Sequence, residues 1–456
     1  MTMTSPDTFT GLDAGRRDLA RAVGLTAFVH GYPLVESVRT CRLQTGHPGL
    51  APRAPINALH AITRPSTDQD RDIVTPANDL LYTTAWIHLG DGPCVLTVPA
   101  AAEHPGRYFV LALYDAYTEN FENLGPRNCS AQGEQVLLLG PGQRAPAALA
   151  HLRHVPCPTT LVWLIGRILV GDEADWPAAR ALQAGIRLAP AEGTGPSRVP
   201  ACVAAWEGEP VDAMADMQAG VPAQDVARRF FGNLCRALAD APGRPEDVGL
   251  VAWLGQAGLR PGSGFDWAAL DAPTREGLQQ GLAEATRLVG EAARSRRRKP
   301  WVLAGRAGRY GNDHLTRALT AYIGLGALAT TEALYAAGHF DAAGDALDGS
   351  RRYTMRFEAD ALPPADAFWS VTLYDADRFL HPNALGRHAI GDRTPGLRRD
   401  ADGGLRLVFS HDRPADDANW LPTPAGRFYL ILRLYHPREE ARTWRIPALQ
   451  AWGATA

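Results

Sequence analysis

The segment TPANDLLYTTAW, which spans residues 75–86, gathers side chains that could move a proton on a bound small molecule. Asp79 could act as a general base or orient a substrate, and Tyr82 could present its phenol to a pocket. We therefore predict that both are catalytic, and that Asn78 and Trp86 contact the substrate. Turn formation is the alternative for Asn78, because Asn and Asp after a proline favour turns.

A second polar segment, AYTENFENLG at residues 116–125, supplies the third predicted catalytic group, Glu119. A buried carboxyl group has a raised pKa and can donate a proton near neutral pH. Tyr117 and Asn120 are predicted to contact the substrate. If a strand continues through this segment, alternation places Tyr117 and Glu119 on one face, with Asn120 and Glu122 on the other. A solvated loop is the alternative interpretation.

His30 and Tyr32, in the segment FVHGYPL, complete the predicted substrate contacts. Both lie on an apolar helical pattern, so burial in the core is the alternative for each.

Metal and cofactor sites are not predicted. His381, His388 and His411 lack the HxH pair of a cupin-like site, and HLRH at residues 151–154 has no acidic partner nearby. The chain also lacks a dinucleotide fingerprint, a phosphate-binding P-loop and a G-x-S-x-G elbow.

A repeated strand pattern organises the elements that must position these groups. YFVLALYDA ends at Ala116 and FWSVTLYDA ends at Ala376, and each is followed by a Leu-Gly and an Arg. PTTLVWLIGRIL from Pro158 similarly matches PTPAGRFYLILRLY from Pro422. These β-branched and aromatic runs, bounded by Gly, Pro, Asn and Asp, predict strands. We expect a mainly β fold with two β-sandwich or jelly-roll domains.

Helical spacing of apolar residues separates and precedes the two β domains. The predicted organisation is an N-terminal helical segment over residues 1–45, a first sandwich over 46–200, a helical connector over 201–336 and a second sandwich over 337–456.

The repeat also separates structural from functional candidates. Polar residues present in both copies are predicted to be structural, with the Asp ending and locking a strand and the Arg tying a turn to the sandwich edge. These pairs are Asp115 with Asp375, Arg127 with Arg387, and Arg167 with Arg433. Functional groups are expected where the copies differ, and residues 75–86 have no evident counterpart in the second copy.

The charge balance argues against polyanionic partners. The chain of 456 residues carries 46 basic and 49 acidic side chains, for a net charge of -3. Neither nucleic acid nor a membrane is therefore an expected partner. No signal-like or membrane-spanning apolar run is present, and the six cysteines form no CxxC pair, which favours a cytoplasmic protein with free thiols. Exposed sheet edges favour a homodimer.

Several longer segments resemble one bacterial two-domain family. HGYPLVES, VTPANDLLYTTAWIHL, GRYFVLALYDAYTENF, GDRTPGL and NWLPTPAG are similar to the domains of unknown function 1254, at the amino end, and 1214, at the carboxyl end. The resemblance implies two β-sandwiches joined by helices, but no shared activity. Relatives typically read PNNDTLY where this chain has PANDLLY. Ala77 and Leu80 thus replace an amide and a hydroxyl, which implies a less polar ligand here.

The sequence predicts a small-molecule enzyme of specialised metabolism that performs cofactor-free acid–base chemistry on a largely apolar substrate. Isomerase, lyase, cyclase and hydrolase reactions all fit. The alternative is a non-catalytic ligand-binding or assembly protein.

Overall fold

A long amino-terminal helix packs closely against a helix of the connector. The computed structural model describes residues 6–46, 54–71, 75–191, 197–206, 212–296, 299–416 and 418–452. Helix α1 (Pro6–Thr45) crosses α7 (Ala272–Arg296) where glycines allow the backbones to touch. A Cβ atom on Gly281 would lie 2.3 Å from the carbonyl oxygen of Arg21, and one on Gly277 would lie 2.3 Å from that of Arg17. Only glycine therefore fits at these two positions.

Within the described residues, the first β module contains nine strands and one α-helix. Its elements are β1 (His60–Ile62), β2 (Leu80–His88), β3 (Cys94–Val98), β4 (Phe109–Asp115), β5 (Asn120–Leu124), β6 (Glu134–Leu139), β7 (Arg153–Pro156), β8 (Leu161–Leu169), α2 (Trp176–Ala184) and β9 (Arg187–Pro190). They form a five-stranded sheet in the order β1-β2-β8-β4-β5 and a four-stranded sheet in the order β7-β6-β3-β9.

The connector is mostly helical, and the second β module begins within it. The connector helices are α3 (Ala201–Ala204), α4 (Ala213–Gln218), α5 (Ala223–Asp240), α6 (Val248–Leu254), α7 and, after strand β10 (Trp301–Leu303), α8 (His314–Gly324). The remaining strands are β11 (Ala333–Gly338), β12 (Tyr353–Phe357), β13 (Ala365–Asp375), β14 (Ala389–Gly391), β15 (Leu405–Ser410), β16 (Trp420–Pro422), β17 (Phe428–Pro437) and β18 (Gln450–Ala451).

The two modules have the same strand order. The second five-stranded sheet runs β10-β11-β17-β13-β14 and its companion runs β16-β15-β12-β18. In both four-stranded sheets the first pair is parallel and the other pairs are antiparallel. The expected mainly β fold with two sandwiches joined by helices is confirmed. Strand β11 crosses the predicted boundary between residues 336 and 337, and it pairs with β17 as β2 pairs with β8.

The central strands are buried on both faces, which explains their unbroken apolar runs. In β4, Leu111 and Leu113 face the interior of the first sandwich, whereas Ala112 and Tyr114 join a second core shared with the helices. That second core also includes Phe368 and Tyr435 of the second module. One face of each five-stranded sheet therefore closes its own sandwich, and residues of the other face contribute to the interface between the modules, called the seam below.

Candidate functional site

The carboxylate of the repeated LYDA sequence ends a strand in both modules. Oδ1 of Asp115 accepts hydrogen bonds from the backbone N–H groups of Tyr117 and Glu119, each at 2.9 Å. Oδ1 of Asp375 accepts the equivalent bonds from Asp377 at 2.9 Å and Phe379 at 3.0 Å. The predicted structural role of this repeated Asp is confirmed. Strand β4 ends at Asp115, so the alternation expected through residues 116–119 is wrong, because a turn occupies them.

The loop before β2 docks on the second module. Thr75 has φ +63°, an unfavourable angle for a β-branched residue. Its carbonyl oxygen accepts a hydrogen bond from Nη2 of Arg433 at 3.1 Å, and its hydroxyl lies 3.0 Å from that of Tyr429. The hydroxyl of Tyr374 donates to the carbonyl oxygen of Pro76 at 2.6 Å. The strained loop is therefore held by bonds to the other module.

The repeated arginines lie in the seam rather than at a sandwich edge, which corrects the predicted location of Arg167 and Arg433. Nη1 of Arg167 donates to the hydroxyl of Tyr114 at 3.2 Å, and Nη2 of Arg433 donates to that of Tyr374 at 2.7 Å. Nη2 of Arg167 also donates to the carbonyl oxygen of Gly326 at 2.9 Å. Among the described ion pairs, neither guanidinium has a carboxylate partner.

Burial raises the pKa of the Tyr114 and Tyr374 hydroxyls, although the neighbouring guanidinium groups lower it. Both phenols therefore remain protonated at neutral pH. The seam holds two buried positive charges whose hydrogen-bond partners are neutral oxygens.

The second module does contain a counterpart of residues 78–82, which corrects the expectation that these residues are unique. Tyr82 pairs with Arg167 across strands β2 and β8, and Tyr335 pairs with Arg433 across β11 and β17. NDLLY of the first module thus corresponds to TEALY at residues 331–335. This register places Glu332 at the position of Asp79.

The two acidic residues at this shared position have different surroundings. The backbone N–H of Val170 donates to the carbonyl oxygen of Asp79 at 3.1 Å, and that of His436 donates to the carbonyl oxygen of Glu332 at 2.9 Å. His436 therefore occupies the position of Val170. Within the described residues, both carboxylate oxygens of Asp79 and Oδ1 of Asn78 are buried without a hydrogen-bond partner. Such groups in native proteins usually face a water molecule, an ion or a functional partner.

Glu332, in contrast, is the centre of a polar cluster. Its Oε1 accepts a hydrogen bond from the hydroxyl of Tyr108 at 2.9 Å and lies 3.1 Å from Nε2 of His436. Its Oε2 forms an ion pair with Arg127. Burial opposes ionisation of Glu332, but the hydrogen bond and charge of His436, together with the charge of Arg127, outweigh it. The pKa of Glu332 is therefore held below its ordinary value of 4.5.

A cleft of about 220 Å³ opens beside this cluster and is lined by both modules. Phe109, Val110 and Pro126 supply its apolar surface, and Asn123, Arg127 and Asn128 supply polar groups. Glu332 and His436 line it from the second module. His436 has φ +48°, a left-handed conformation that is uncommon outside glycine. Backbone strain of this kind is concentrated at functional sites.

The predicted site residues fall into separate parts of the structure. Asp79, Asn78 and Tyr82 lie in the seam, and the hydroxyl of Tyr82 accepts a hydrogen bond from the backbone N–H of Ala77 at 3.2 Å. Glu119 lies at the helical side, where its Oε2 pairs with the buried Arg317 at 3.0 Å. The three predicted catalytic residues therefore do not form one constellation.

The side chains of Trp86, Tyr32 and Asn120, which are predicted to contact the substrate, form hydrogen bonds within the protein. Nε1 of Trp86 donates to Gln44 at 2.9 Å, and its ring stacks on another tryptophan. The hydroxyl of Tyr32 donates to Oδ1 of Asp212 at 3.0 Å. Oδ1 of Asn120 accepts from the backbone N–H of Ala329 and from the side chain of Asn123, each at 2.8 Å. These contacts indicate roles in holding the fold.

Besides Asn78 in the seam, the remaining predicted substrate contacts are His30 and Tyr117. They lie together beneath the connector helices, with ring centroids 5.4 Å apart. The hydroxyl of Tyr117 donates to the carbonyl oxygen of Ala241 at 3.0 Å.

Glu332 and His436 were missed by the sequence reasoning. His436 does satisfy the rule that functional groups lie where the copies differ, because aligning Arg167 with Arg433 places it opposite Val170. Glu332 was hidden because ALYAAG, the sequence of β11, is rich in alanine and has little β-branched character.

The remaining repeated arginine of the second module has the structural role expected of it. Nη1 of Arg387 donates to the carbonyl oxygens of Ala418 at 3.2 Å and Trp420 at 3.0 Å, tying a loop to β16 as predicted.

All six cysteines are free thiols, of which five are buried and Cys129 is partly buried. Among the described residues, no helix has the length and apolar character needed to cross a bilayer.

Comparison with known proteins identifies the modules without assigning an activity. No curated protein matches the chain. The VPA0106 protein from Vibrio parahaemolyticus has a similar crystal structure, with a TM-score of 0.71 and 22% identity over 95% of this chain and 99% of that one. An uncharacterized protein from Burkholderia cenocepacia gives a TM-score of 0.46 and 14% identity over 97% of each chain. The first likeness supports the shared fold.

The family matches cover the first β module, from β1 to β9, and the second module from β11 to β17. Residues 56–190 match the family described as protein of unknown function DUF1254. Residues 332–439 match the family described as protein of unknown function DUF1214, beginning at Glu332 itself. The chain therefore carries a DUF1254 module followed by a DUF1214 module.

Proposed function

We propose that this protein is an enzyme that performs acid–base chemistry on a small molecule bound in the cleft at the seam. The observation that carries the proposal is the Glu332–His436 pair, which lines a cleft and is held by a strained backbone. An imidazole oriented by a carboxylate is a common arrangement for a general base.

The geometry favours His436 as the general base and Glu332 as the carboxylate that orients it. Because the Glu332 carboxylate accepts a hydrogen bond, it places a proton on Nε2 of His436, and Nδ1 is then the ring nitrogen that would take a proton from the substrate. The resulting imidazolium is stabilised by the carboxylate 3.1 Å away. Returning the proton to another atom of the substrate completes an isomerisation, and returning it to a departing group completes an elimination. Neither sequence consumes a further reactant.

The cleft restricts the substrate to a small molecule with both apolar and polar parts. Its volume of about 220 Å³ lies below the roughly 300–1,000 Å³ of typical ligand pockets. The apolar wall from Phe109, Val110 and Pro126 agrees with the largely apolar substrate expected from the sequence. Arg127 and the two asparagines would contact a polar group of that molecule.

Of the three predicted catalytic residues, Asp79 and Tyr82 are given a role in the proposed function, whereas Glu119 is not. Asp79 and Tyr82 lie in the same seam, and their proposed role is to bind water or a polar substrate atom in its buried part. Glu119 is left out because it is ion-paired with Arg317. The unpaired thiols support the cytoplasm as the proposed location.

Solvent isotope exchange tests the proposal and does not require that the substrate be identified first. The protein is incubated in D₂O with fractions of a cytoplasmic small-molecule extract, and carbon-bound deuterium is detected by mass spectrometry. We expect the wild-type protein to label or convert at least one compound, and His436→Gln to lower the rate by about 100-fold or more. His151→Gln changes an exposed histidine and serves as the matched control.

The second candidate is a binding protein that releases its ligand unchanged. The unpartnered oxygens of Asn78 and Asp79 favour it, because buried acceptors without donors are suited to a ligand that supplies them. Native mass spectrometry that detects a co-purified compound, together with no deuterium incorporation in any fraction, would support binding and contradict catalysis.

A further inference from the structure

A second cluster of potential ligating groups lies beneath the connector helices, away from the seam. It consists of His30 on α1, Asp247 in the turn before α6, and His314 at the start of α8. Their ligand atoms all lie within 4.8 Å of one another, and Nε2 of His314 is 3.6 Å from Oδ1 of Asp247. Three separate elements thus bring two imidazoles and a carboxylate to one point, called the histidine cluster below.

His30 is the residue that most requires a partner. Its side chain is buried, with a relative exposure of 1%. Neither ring nitrogen has a hydrogen-bond partner among the described residues. Its ring lies 5.1 Å, centroid to centroid, from that of His314. A buried imidazole without a hydrogen-bond partner in the protein leaves a ring nitrogen available to ligate a metal ion.

The surroundings hold the other two ligands in place. Asp247 forms a two-fold pair with Arg244, in which Oδ2 accepts from Nε at 3.0 Å and Oδ1 accepts from Nη2 at 3.2 Å. The same Oδ1 lies 3.6 Å from Nε2 of His314. Nη1 of Arg317 lies 3.4 Å from Nδ1 of His314. The two bonds from Arg244 fix the orientation of the Asp247 carboxylate.

The local charge can accommodate a cation despite the two arginines. Asp115, Glu119 and Asp247 provide three carboxylates against the guanidinium groups of Arg244 and Arg317. The group therefore has one excess negative charge when all three acids are ionised. A cation on Nε2 of His314 would place the ring proton on Nδ1, and Arg317 would then rely on its bonds to Glu119 and to the carbonyl oxygen of Gly311.

We propose that the histidine cluster binds one divalent transition-metal ion, with two imidazoles and one carboxylate as ligands. Zinc suits this ligand set best, because it takes His nitrogen and Asp oxygen in four-coordinate sites. Water would complete the coordination. The ion would connect α1 to the connector, so its principal role is to fix α1 against the connector helices.

Metal analysis of the full-length protein tests the site directly. Wild-type protein is loaded with zinc sulfate, freed of excess metal by gel filtration and measured by plasma mass spectrometry. We expect one zinc per chain, and a loss of at least 80% of it in both His30→Asn and His314→Asn. His151→Asn, at an exposed histidine, should keep the full equivalent and controls for adventitious binding.

A cobalt measurement keeps the test decisive if the variants fold poorly. Cobalt bound to wild-type protein should give visible ligand-field absorption that one equivalent of zinc removes. Circular dichroism establishes whether each variant is folded. Wild-type protein that holds no stoichiometric zinc and gives no cobalt spectrum overturns the proposal, as does a folded His30→Asn variant that keeps its metal.

Discussion

Replacing Glu332 by glutamine removes a buried negative charge that interacts with the side chains of Tyr108, His436 and Arg127. Glutamine keeps an acceptor oxygen for Tyr108 and His436 but presents an amide to Arg127. Removing one partner of a buried ion pair costs about 3–5 kcal/mol. Arg127 keeps 48% of its side chain exposed, so water solvates it in the variant. We therefore expect a loss of roughly 2–3 kcal/mol in the free energy of unfolding near neutral pH.

The pH dependence of this loss follows from the lowered pKa of Glu332. A carboxyl group whose pKa is lower in the folded state stabilises the protein above its unfolded pKa, here near 4.5. That contribution disappears as the pH falls through the folded pKa. The difference between wild type and Glu332→Gln should therefore be largest near pH 7 and shrink below about pH 4.

Urea unfolding followed by circular dichroism measures the difference at each pH. Asp366→Asn serves as the control, because it breaks an exposed pair with Arg438 and should change stability by less than about 0.5 kcal/mol. Equal stability of Glu332→Gln and wild type at pH 7, or a difference that widens in acid, would refute the account of the cluster.

Two further predictions concern packing and burial. Gly281→Ala should destabilise the protein by about 1–3 kcal/mol, because its Cβ would meet the backbone of α1. Gly290→Ala should instead stabilise it by about 0.5–1 kcal/mol, because the closest contact of its Cβ would be a flexible arginine at 3.5 Å. Thermal melting of both variants checks this, and melting temperatures that shift in the same direction would contradict it. Burial raises the pKa of Asp115 to about 6, so this carboxyl group should add a negative slope to the pH dependence of the free energy of unfolding between pH 3.8 and 6, worth up to about 3 kcal/mol. Asp115→Asn should lack this slope in unfolding titrations while Asp375→Asn keeps it, and a slope unchanged in Asp115→Asn would show that Asp115 is not the group responsible.

The fold was largely predictable because its main determinants are local and repeated. Three features recur at equivalent places in the two five-stranded sheets: the LYDA sequence, the aspartate that ends its strand, and the strand that contains Arg167 or Arg433. Strand β11 was not predictable from its own residues, since ALYAAG favours helix as much as strand and its conformation depends on pairing with β17.

The site was less predictable because it depends on contacts between distant segments. Asp79 and Tyr82, which are grouped by their closeness in residues 75–86, both lie in the seam, where Asp79 immediately precedes β2 and Tyr82 lies within it. The Glu332–His436 pair joins residues that are adjacent only once β11 and β17 pair, and the Tyr108 hydroxyl reaches Glu332 from the other module. Sequence spacing alone contains no information on such an encounter.

The bond from Arg433 to the carbonyl oxygen of Thr75 has a consequence for dividing the chain. A DUF1214 module produced alone would present a row of aromatic rings and a guanidinium group deprived of that acceptor to solvent. The amino-terminal half would likewise leave its strained loop without the hydroxyl and guanidinium that hold it. Each half thus completes the interior of the other, and fragments cut between them should be prone to aggregation when expressed singly, yet recover solubility when both pieces are produced in the same cell.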